Sequence, residues 1–283
     1  MLCDHHARMK ENISQQANVP GGTGVRKKRG ISGSTLKLIA VISMVIDHIG
    51  AGILGRYLYI SGLGGLDASD AAQVQQWIAG NAQLFTVYNI MRMIGRIAFP
   101  IYCFLLVEGF EHTRNRMKYA ARLLLFAAVS ELPFDLLFKG SILEFSYQNV
   151  FFTLFFGVAV MIGIRWVGER FFGKPVIAAV LTWAVIAAGM AAAQFANTDY
   201  AAIGVLCIVV IYLCRKKKMW QIIAGCVVFA WEMTAPLAFV PIAFYNGKRG
   251  WKLKYFFYVV YPAHLLILYL ICLYLGIASY PAV

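Results

Sequence analysis

The chain has 283 residues, 60% of them hydrophobic and only 14% charged, and it carries a net charge of +13. Soluble domains run about 45–50% apolar and about 25% charged, so the composition excludes an ordinary soluble protein and leaves no room for a large soluble domain. The basic excess falls between apolar runs, with neither aromatic-interleaved basic strands nor a zinc-finger spacing, which argues for a lipid bilayer and against a nucleic-acid partner.

Residues 1–34 read as a basic, disordered cytoplasmic tail carrying Arg8, Lys10, Arg26, Lys27, Lys28 and Arg29. The tail lacks the apolar core of a cleavable signal peptide. Residues 35–283 read as one membrane domain. Its first span covers 35–55. The loop 56–84 is Gly-rich, holds Asp67 and Asp70, has Arg56 as its only basic residue and is assigned outside, with a short surface helix over 71–78. The second span, 85–110, carries Pro100 and is expected to kink there. Arg114, Arg116 and Lys118, with Arg122 one turn on, mark an inside loop.

Further spans follow over 119–138, 149–166, 175–195 and 200–214. The loop 139–148 and the turn holding Asp199 fall outside; the segment from Arg165 to Lys174 and the run Arg215-Lys216-Lys217-Lys218 fall inside. The apolar stretch 220–245 then lies between two inside-type basic flanks, the second being Lys248, Arg249, Lys252 and Lys254. Two arms of about thirteen residues reach only about 20 Å as helix, short of a hydrocarbon core of about 30 Å. A re-entrant or short helical hairpin turning near Glu232-Met233-Thr234-Ala235-Pro236 is therefore expected, with a single tilted span as the alternative. The last span covers 255–277. The fold class is thus an all-α polytopic membrane protein, with about seven full transmembrane helices plus that hairpin. No internal repeat is evident, which weakens an inverted-repeat transporter.

Ionisable groups inside spans are costly and usually functional. Here they are Asp47, His48, Arg92, Arg96, Glu108, Glu131, Asp135, Glu232 and His264. At about 1.5 Å rise per residue, His48, Glu131 and Arg96 reach one height somewhat outside the midplane; His264 falls slightly lower and Glu232 sits at the hairpin tip. Neighbouring side chains on a helix diverge by about 100°, so Asp47 is expected to pair with an Arg of another helix rather than to orient His48. Arg92 and Arg96, four apart, share a face. The plainer alternative makes several of these groups charge pairs that hold helices together.

No HExxH, P-loop, GxSxG or Rossmann fingerprint occurs. The Cys3-Asp4-His5-His6 tract lacks supporting ligands, so no metal is expected. The six cysteines show no CxxC spacing, and no structural disulfide is expected.

Longer motifs resemble a known family. They are Leu36-Lys37-Leu38-Ile39-Ala40 through Asp47-His48-Ile49-Gly50; Gly95-Arg96-Ile97-Ala98-Phe99-Pro100 through Glu108-Gly109-Phe110 with His112-Thr113-Arg114-Asn115; Ser130-Glu131-Leu132-Pro133-Phe134-Asp135; Gln148-Asn149-Val150-Phe151-Phe152-Thr153; Tyr245-Asn246-Gly247-Lys248-Arg249-Gly250; and Tyr258 through Tyr261-Pro262-Ala263-His264-Leu265. From Leu36 onward the chain resembles the TraX family, named for an inner-membrane protein that acetylates the N-terminus of conjugative pilin. That family in turn looks related to multi-span acyltransferases such as the acyltransferase-3 class.

The resemblance implies an integral membrane O- or N-acetyltransferase of the bacterial cytoplasmic membrane. It would move an acetyl group from cytosolic acetyl-CoA to an acceptor amine or hydroxyl at the outer face, either a pilin-like peptide N-terminus or a surface sugar. It implies His48 as the catalytic group, either a base for the acceptor or a nucleophile that carries the acetyl group as an acyl-imidazole; beside it, Arg96 is expected to stabilise the developing oxyanion and Glu131 or Asp135 to orient the acceptor or hold that arginine. Asp47, Arg92, Asp135, Asn149, Glu232 and His264 are expected to bind substrate, and Arg114, Arg116, Lys118 and Arg122 to clamp the CoA phosphates. The alternatives are a transporter or flippase using the buried charges on a polar solute, and a non-enzymatic assembly factor.

Overall fold

A computed structural model describes residues 30–67, 69–251 and 254–282; most of the expected N-terminal tail, with its Cys3-Asp4-His5-His6 tract, lies outside them. Among the described residues the fold is helical, with two isolated parallel bridges, Ile31 to Tyr245 and Gln148 to Thr198, in place of strands. In chain order the α-helices are α1 (Gly33–Ile49), α2 (Gly55–Ile60), α3 (Ala71–Gly80), α4 (Ala82–Gly95), α5 (Ala98–His112), α6 (Arg116–Phe138), α7 (Val150–Arg170), α8 (Pro175–Phe195), α9 (Ala201–Leu213), α10 (Lys218–Val228), α11 (Phe239–Ala243) and α12 (Lys254–Tyr274).

Ser32 starts α1 by accepting the Thr35 N–H, an N-cap that satisfies one orphan donor. A π-helical turn, Gly50–Leu54, joins α1 to α2 and makes one continuous rod of 28 residues. The glycines of that turn permit close packing: a Cβ on Gly50 would lie 3.1 Å from Met91, and one on Gly52 would lie 2.9 Å from Leu137. Arg56 falls in α2, not in an outer loop, and is fully buried.

The second rod runs from Ala82 to His112 and breaks between α4 and α5, at Arg96-Ile97, one turn ahead of the expected kink at Pro100. Proline acts on the preceding turn: it has no N–H for the carbonyl four residues back, and its ring crowds that carbonyl. That residue is Arg96. α5 forms the middle of the bundle, where Phe99, Ile101, Cys103, Phe104, Val107 and Phe110 are all buried. Helix α8 is the opposite case, with only Ile186 and Ala193 buried and Val176, Val180 and Trp183 exposed. A helix apolar all round and bare on most faces has lipid as its solvent.

Among the described residues four helical stretches are long and apolar enough to cross a membrane: Gly33–Ile60, Ala82–His112, Val150–Arg170 and Pro175–Phe195. The expected count of about seven full spans is not reached by that measure. α6 spends part of its length on Arg116, Lys118, Arg122, Glu131 and Asp135, and α9 has only 13 residues.

The stretch 220–245 folds back on itself, as expected for a hairpin. α10 descends to Phe229, a turn carries Glu232, and a 3-10 segment (Ala235–Ala238) leads into α11. Lys218 Nζ closes the mouth by donating to the Ala243 and Tyr245 carbonyls at 2.7 and 2.8 Å. Gly225 allows the arms to touch, since a Cβ there would sit 2.1 Å from the Phe239 ring.

Candidate functional site

His48 stands on α1 one residue before Ile49, the helix's last, and meets α12 directly: its Nδ1 lies 2.7 Å from His264 Nε2. The two rings are within 8° of parallel. The other nitrogen of His264, Nδ1, lies 2.7 Å from the Val260 carbonyl oxygen one turn back. Phe138 and Tyr261 present ring edges to His48 at centroid distances of 5.4 and 6.0 Å. The imidazole is thus fixed by a polar partner on one side and aromatic walls on others.

Asp47 points away from His48, as the helical angle requires, and takes Arg92 of α4 at 2.6 Å. Gly95 makes this approach possible, because a Cβ there would lie 2.1 Å from Asp47 Oδ1. Nearby, Ser43 Oγ donates to the Ile94 carbonyl and ties α1 to the end of α4. Arg96, at the break in the second rod, pairs with Glu232 Oε2 at 2.9 Å. Thr234 Oγ1 donates to the Met93 carbonyl at 2.6 Å, so the hairpin tip is locked to the same helix end. The carboxylates are the more buried partners, with Asp47 17% and Glu232 10% exposed, so removing either arginine leaves a buried carboxylate without its counter-charge.

Of these groups Asp47, His48, Arg92 and Arg96 border a cavity of about 250 Å³, together with Tyr147 and Asp199 among others; Glu232 and His264 stand behind that lining. Asp199 was absent from the candidates drawn from sequence. Its Oδ1 accepts the Tyr147 hydroxyl at 2.6 Å, and its backbone carbonyl accepts Thr153 Oγ1. Asn197, Tyr200 and Ala201 around it hold φ of 48, 64 and 42°, left-handed values that non-glycine residues adopt at a cost and that cluster at functional sites. Burial pushes the Asp199 carboxyl up to about 6, against a smaller opposing effect of the Tyr147 hydrogen bond. In sequence its only signal was a single carboxylate in a short turn between two apolar segments.

A second cavity, about 450 Å³, lies against the first. Met44, Tyr102, Val150 and Tyr261 line both and form a common wall. Lys37, Arg122 and Arg249 border this second chamber, with Glu108, His112 and Tyr119. Of the expected phosphate clamp only Arg122 lines it; Arg114, Arg116 and Lys118 do not, and the Arg116 guanidinium stands 5.3 Å over the Phe110 ring. Lys37 and Arg249 line it instead. In the sequence Arg249 reads as one charge of an inside loop, and Lys37 stands out only as part of the motif that opens at Leu36.

The structure brings together Asp47, His48, Arg92, Arg96, Glu232 and His264. It keeps Glu131, Asp135 and Asn149 in a separate cluster that lines neither cavity. Asn149 caps α7 by accepting the Phe151 N–H at 3.0 Å. Its Nδ2 donates to Glu131 and to the Ala127 carbonyl, and Asp135 accepts the Glu144 N–H at 2.8 Å. These contacts tie α6 to the start of α7 and to the loop before it. Among the described residues no group of three or more His, Cys, Asp or Glu is arranged to hold a metal.

A sequence model of the family described as TraX protein matches residues 32–272. The chain is also 28% identical over 261 residues to a protein of Dichelobacter nodosus named "Probable fimbrial assembly protein FimC, serogroup H1", covering 82% of this chain and 92% of that one. No solved structure matches.

Proposed function

The chain belongs to the TraX family, and on that premise we propose that it is an integral membrane acetyltransferase of the bacterial cytoplasmic membrane, with its N-terminus inside. It takes acetyl groups from cytosolic acetyl-CoA and delivers them to an amine or hydroxyl at the outer face. The name of the Dichelobacter nodosus relative supports an acceptor among the subunits of a surface fimbria, with a pilin-like N-terminus preferred to a surface sugar.

One observation carries this reading: two chambers share a wall, with His48 in one and Lys37, Arg122 and Arg249 around the other. A CoA head group is polyanionic and suits three cations in a fork-and-point arrangement. The larger chamber, about 450 Å³, has room for the pantetheine arm, which would bring the thioester to the wall formed by Met44, Tyr102, Val150 and Tyr261. The acceptor enters the smaller chamber, past Asp199 and Tyr147. Its nitrogen or oxygen attacks the thioester carbonyl carbon, and His48 takes the proton released. The carbon–sulfur bond breaks, and the departing thiolate receives a proton from His48. Arg92 and Arg96, held by Asp47 and Glu232, face the negative charge that develops on the carbonyl oxygen. Glu131, Asp135 and Asn149 serve as a structural tie in this scheme.

The test uses purified full-length protein in lipid nanodiscs with radiolabelled acetyl-CoA. Wild type binds saturably and releases CoA when an acceptor peptide is added. His48→Ala binds without turnover. Arg122→Ala and Arg249→Ala each weaken binding about tenfold, the value of one charge-assisted contact. A folded wild type that does not bind acetyl-CoA refutes the proposal, and net solute uptake or lipid scrambling without acyl-CoA would point to transport instead.

A further inference from the structure

The hydrogen bonds around His48 have a direction that can be read from their far end. The Val260 carbonyl oxygen can only accept, and His264 Nδ1 lies 2.7 Å from it. His264 must therefore carry its proton on Nδ1. In a neutral ring the other nitrogen, Nε2, then holds a bare lone pair and can only accept. That nitrogen is 2.7 Å from His48 Nδ1, so His48 must donate through Nδ1. A neutral His48 is left with one unprotonated nitrogen, Nε2, and His48 lines the cavity shared with Arg92, Arg96 and Asp199.

We infer that Val260 and His264 form a relay that fixes the tautomer of His48, making Nε2 the atom that takes the acceptor's proton. The inference rests on His48 being the reactive group of the acetyl transfer proposed above. His264 is then a positioning residue rather than a substrate ligand. It does for His48 what a carboxylate does in a serine-hydrolase triad, holding the ring and its tautomer, although the orienting group here is a neutral imidazole. Asp47 does not fill that role, since Arg92 occupies it.

The proton balance is complete without any further group. When His48 Nε2 binds the acceptor's proton, the ring becomes an imidazolium whose Nδ1–H already points at a lone pair. The Nδ1 proton can cross to His264 Nε2, leaving His48 neutral and His264 cationic, with its own Nδ1–H still donating to Val260. The charge is thereby spread over two hydrogen-bonded, nearly coplanar rings in a setting where a lone buried cation is costly. Return of the proton to the thiolate of CoA restores both rings.

Two variants and one spectrum test this. Protein selectively ¹⁵N-labelled at histidine, in nanodiscs at neutral pH, with His48→Gln used to assign the signals, is expected to show His48 with Nδ1 protonated and Nε2 bare. In His264→Gln the amide oxygen can still accept from His48 Nδ1; the tautomer and at least about a tenth of the turnover should survive. In His264→Phe no acceptor remains, the tautomers of His48 should mix, and turnover should fall about a hundredfold or more with the KM for acetyl-CoA unchanged. Both variants are compared with wild type for thermal unfolding and monodispersity. A His48 protonated on Nε2 in wild type, or equal turnover in His264→Phe and wild type, overturns the relay. The spectrum reads the tautomer without turnover, so a bare Nε2 in a protein that transfers no acetyl group would sink the acetyltransferase reading while leaving the hydrogen-bond direction intact.

Discussion

Gly95→Ala would press a methyl group into Asp47, where α4 crosses α1 beside His48. The added Cβ would lie 2.1 Å from Asp47 Oδ1, 2.3 Å from Asp47 Cβ and 2.4 Å from Asp47 Cγ. The obstacle is a short side chain held on both sides, by α1 beneath it and Arg92 beyond it, so it cannot swing clear. Ordinary carbon contacts need about 3.5 Å, so α1 and α4 must part by roughly an ångström at that crossing. Overpacking of this kind costs about 1–3 kcal/mol. In the proposed transfer the cost should be larger, because Asp47 neighbours His48 and a displacement of about 1 Å at a reacting group can cost about a hundredfold in rate. Gly80→Ala is the control, since no atom lies within 4 Å of its Cβ position. Thermal unfolding and acetyl-CoA turnover of both variants, in the same nanodiscs, decide the matter. Wild-type turnover and stability in Gly95→Ala would show that the α1–α4 crossing is looser than the structure gives, and the argument from close approach would fail.

The remaining expectations concern ion pairing, pH and the hairpin. The losses from Arg92→Leu and Asp47→Asn should sum to more than the loss in the double variant, with a coupling of about 1–3 kcal/mol in a double-mutant cycle of unfolding free energies; strict additivity would contradict the pairing. Asp199 has its carboxyl raised by burial from 3.8 to about 6. The folded state therefore holds this proton more tightly than the unfolded one, and its contribution to stability is lost as pH rises from about 4 through about 6. Asp199→Asn, whose amide oxygen can still accept from Tyr147, should remove that component from a stability profile taken between pH 4 and 7; an unchanged slope would refute it. Gly225→Ala should destabilise by about 1–3 kcal/mol through its clash with Phe239, and Phe239→Leu in the same chain should recover much of the loss. If the second change adds to the damage, the arms do not meet where the structure has them.

Much of the architecture was legible because bilayer physics constrains it so strongly. The inside-type charges on both sides of 220–245, set against the length of each arm, were enough to predict a hairpin with Glu232 near its tip. The rotation of about 100° between neighbours on a helix was enough to send Asp47 to an arginine of another helix. What could not be read was direction across the bundle. Height along a span placed His48, Glu131 and His264 in one layer, yet only packing decides that α12 delivers His264 to His48 while Glu131 turns to Asn149. Arg249 looks like one more charge of an inside loop, and Lys37 like part of a motif, until the fold brings them to one chamber. Asp199 gives no periodic signal at all, because its position depends on a turn with left-handed backbone at Asn197 and Tyr200.

The π-helical turn after His48 has a geometric effect on everything above it. Gly55 donates to the carbonyl of Gly50, five residues back rather than four, so the rod contains one residue more than an α-helix would use. A helix turns about 100° per residue, and fitting this extra residue into the turn sets the phase of α2 back by about that amount relative to α1. The shift points Arg56 inward, where it donates to the Gly52 carbonyl at 2.6 Å and the Tyr280 carbonyl at 2.9 Å. Removing one residue from the turn would leave His48 in register and rotate Arg56 and Leu58 out towards lipid. The lower half of the rod answers to the chemistry and the upper half to anchoring the chain's last segment, and the widened turn lets one helix meet both demands at different angles.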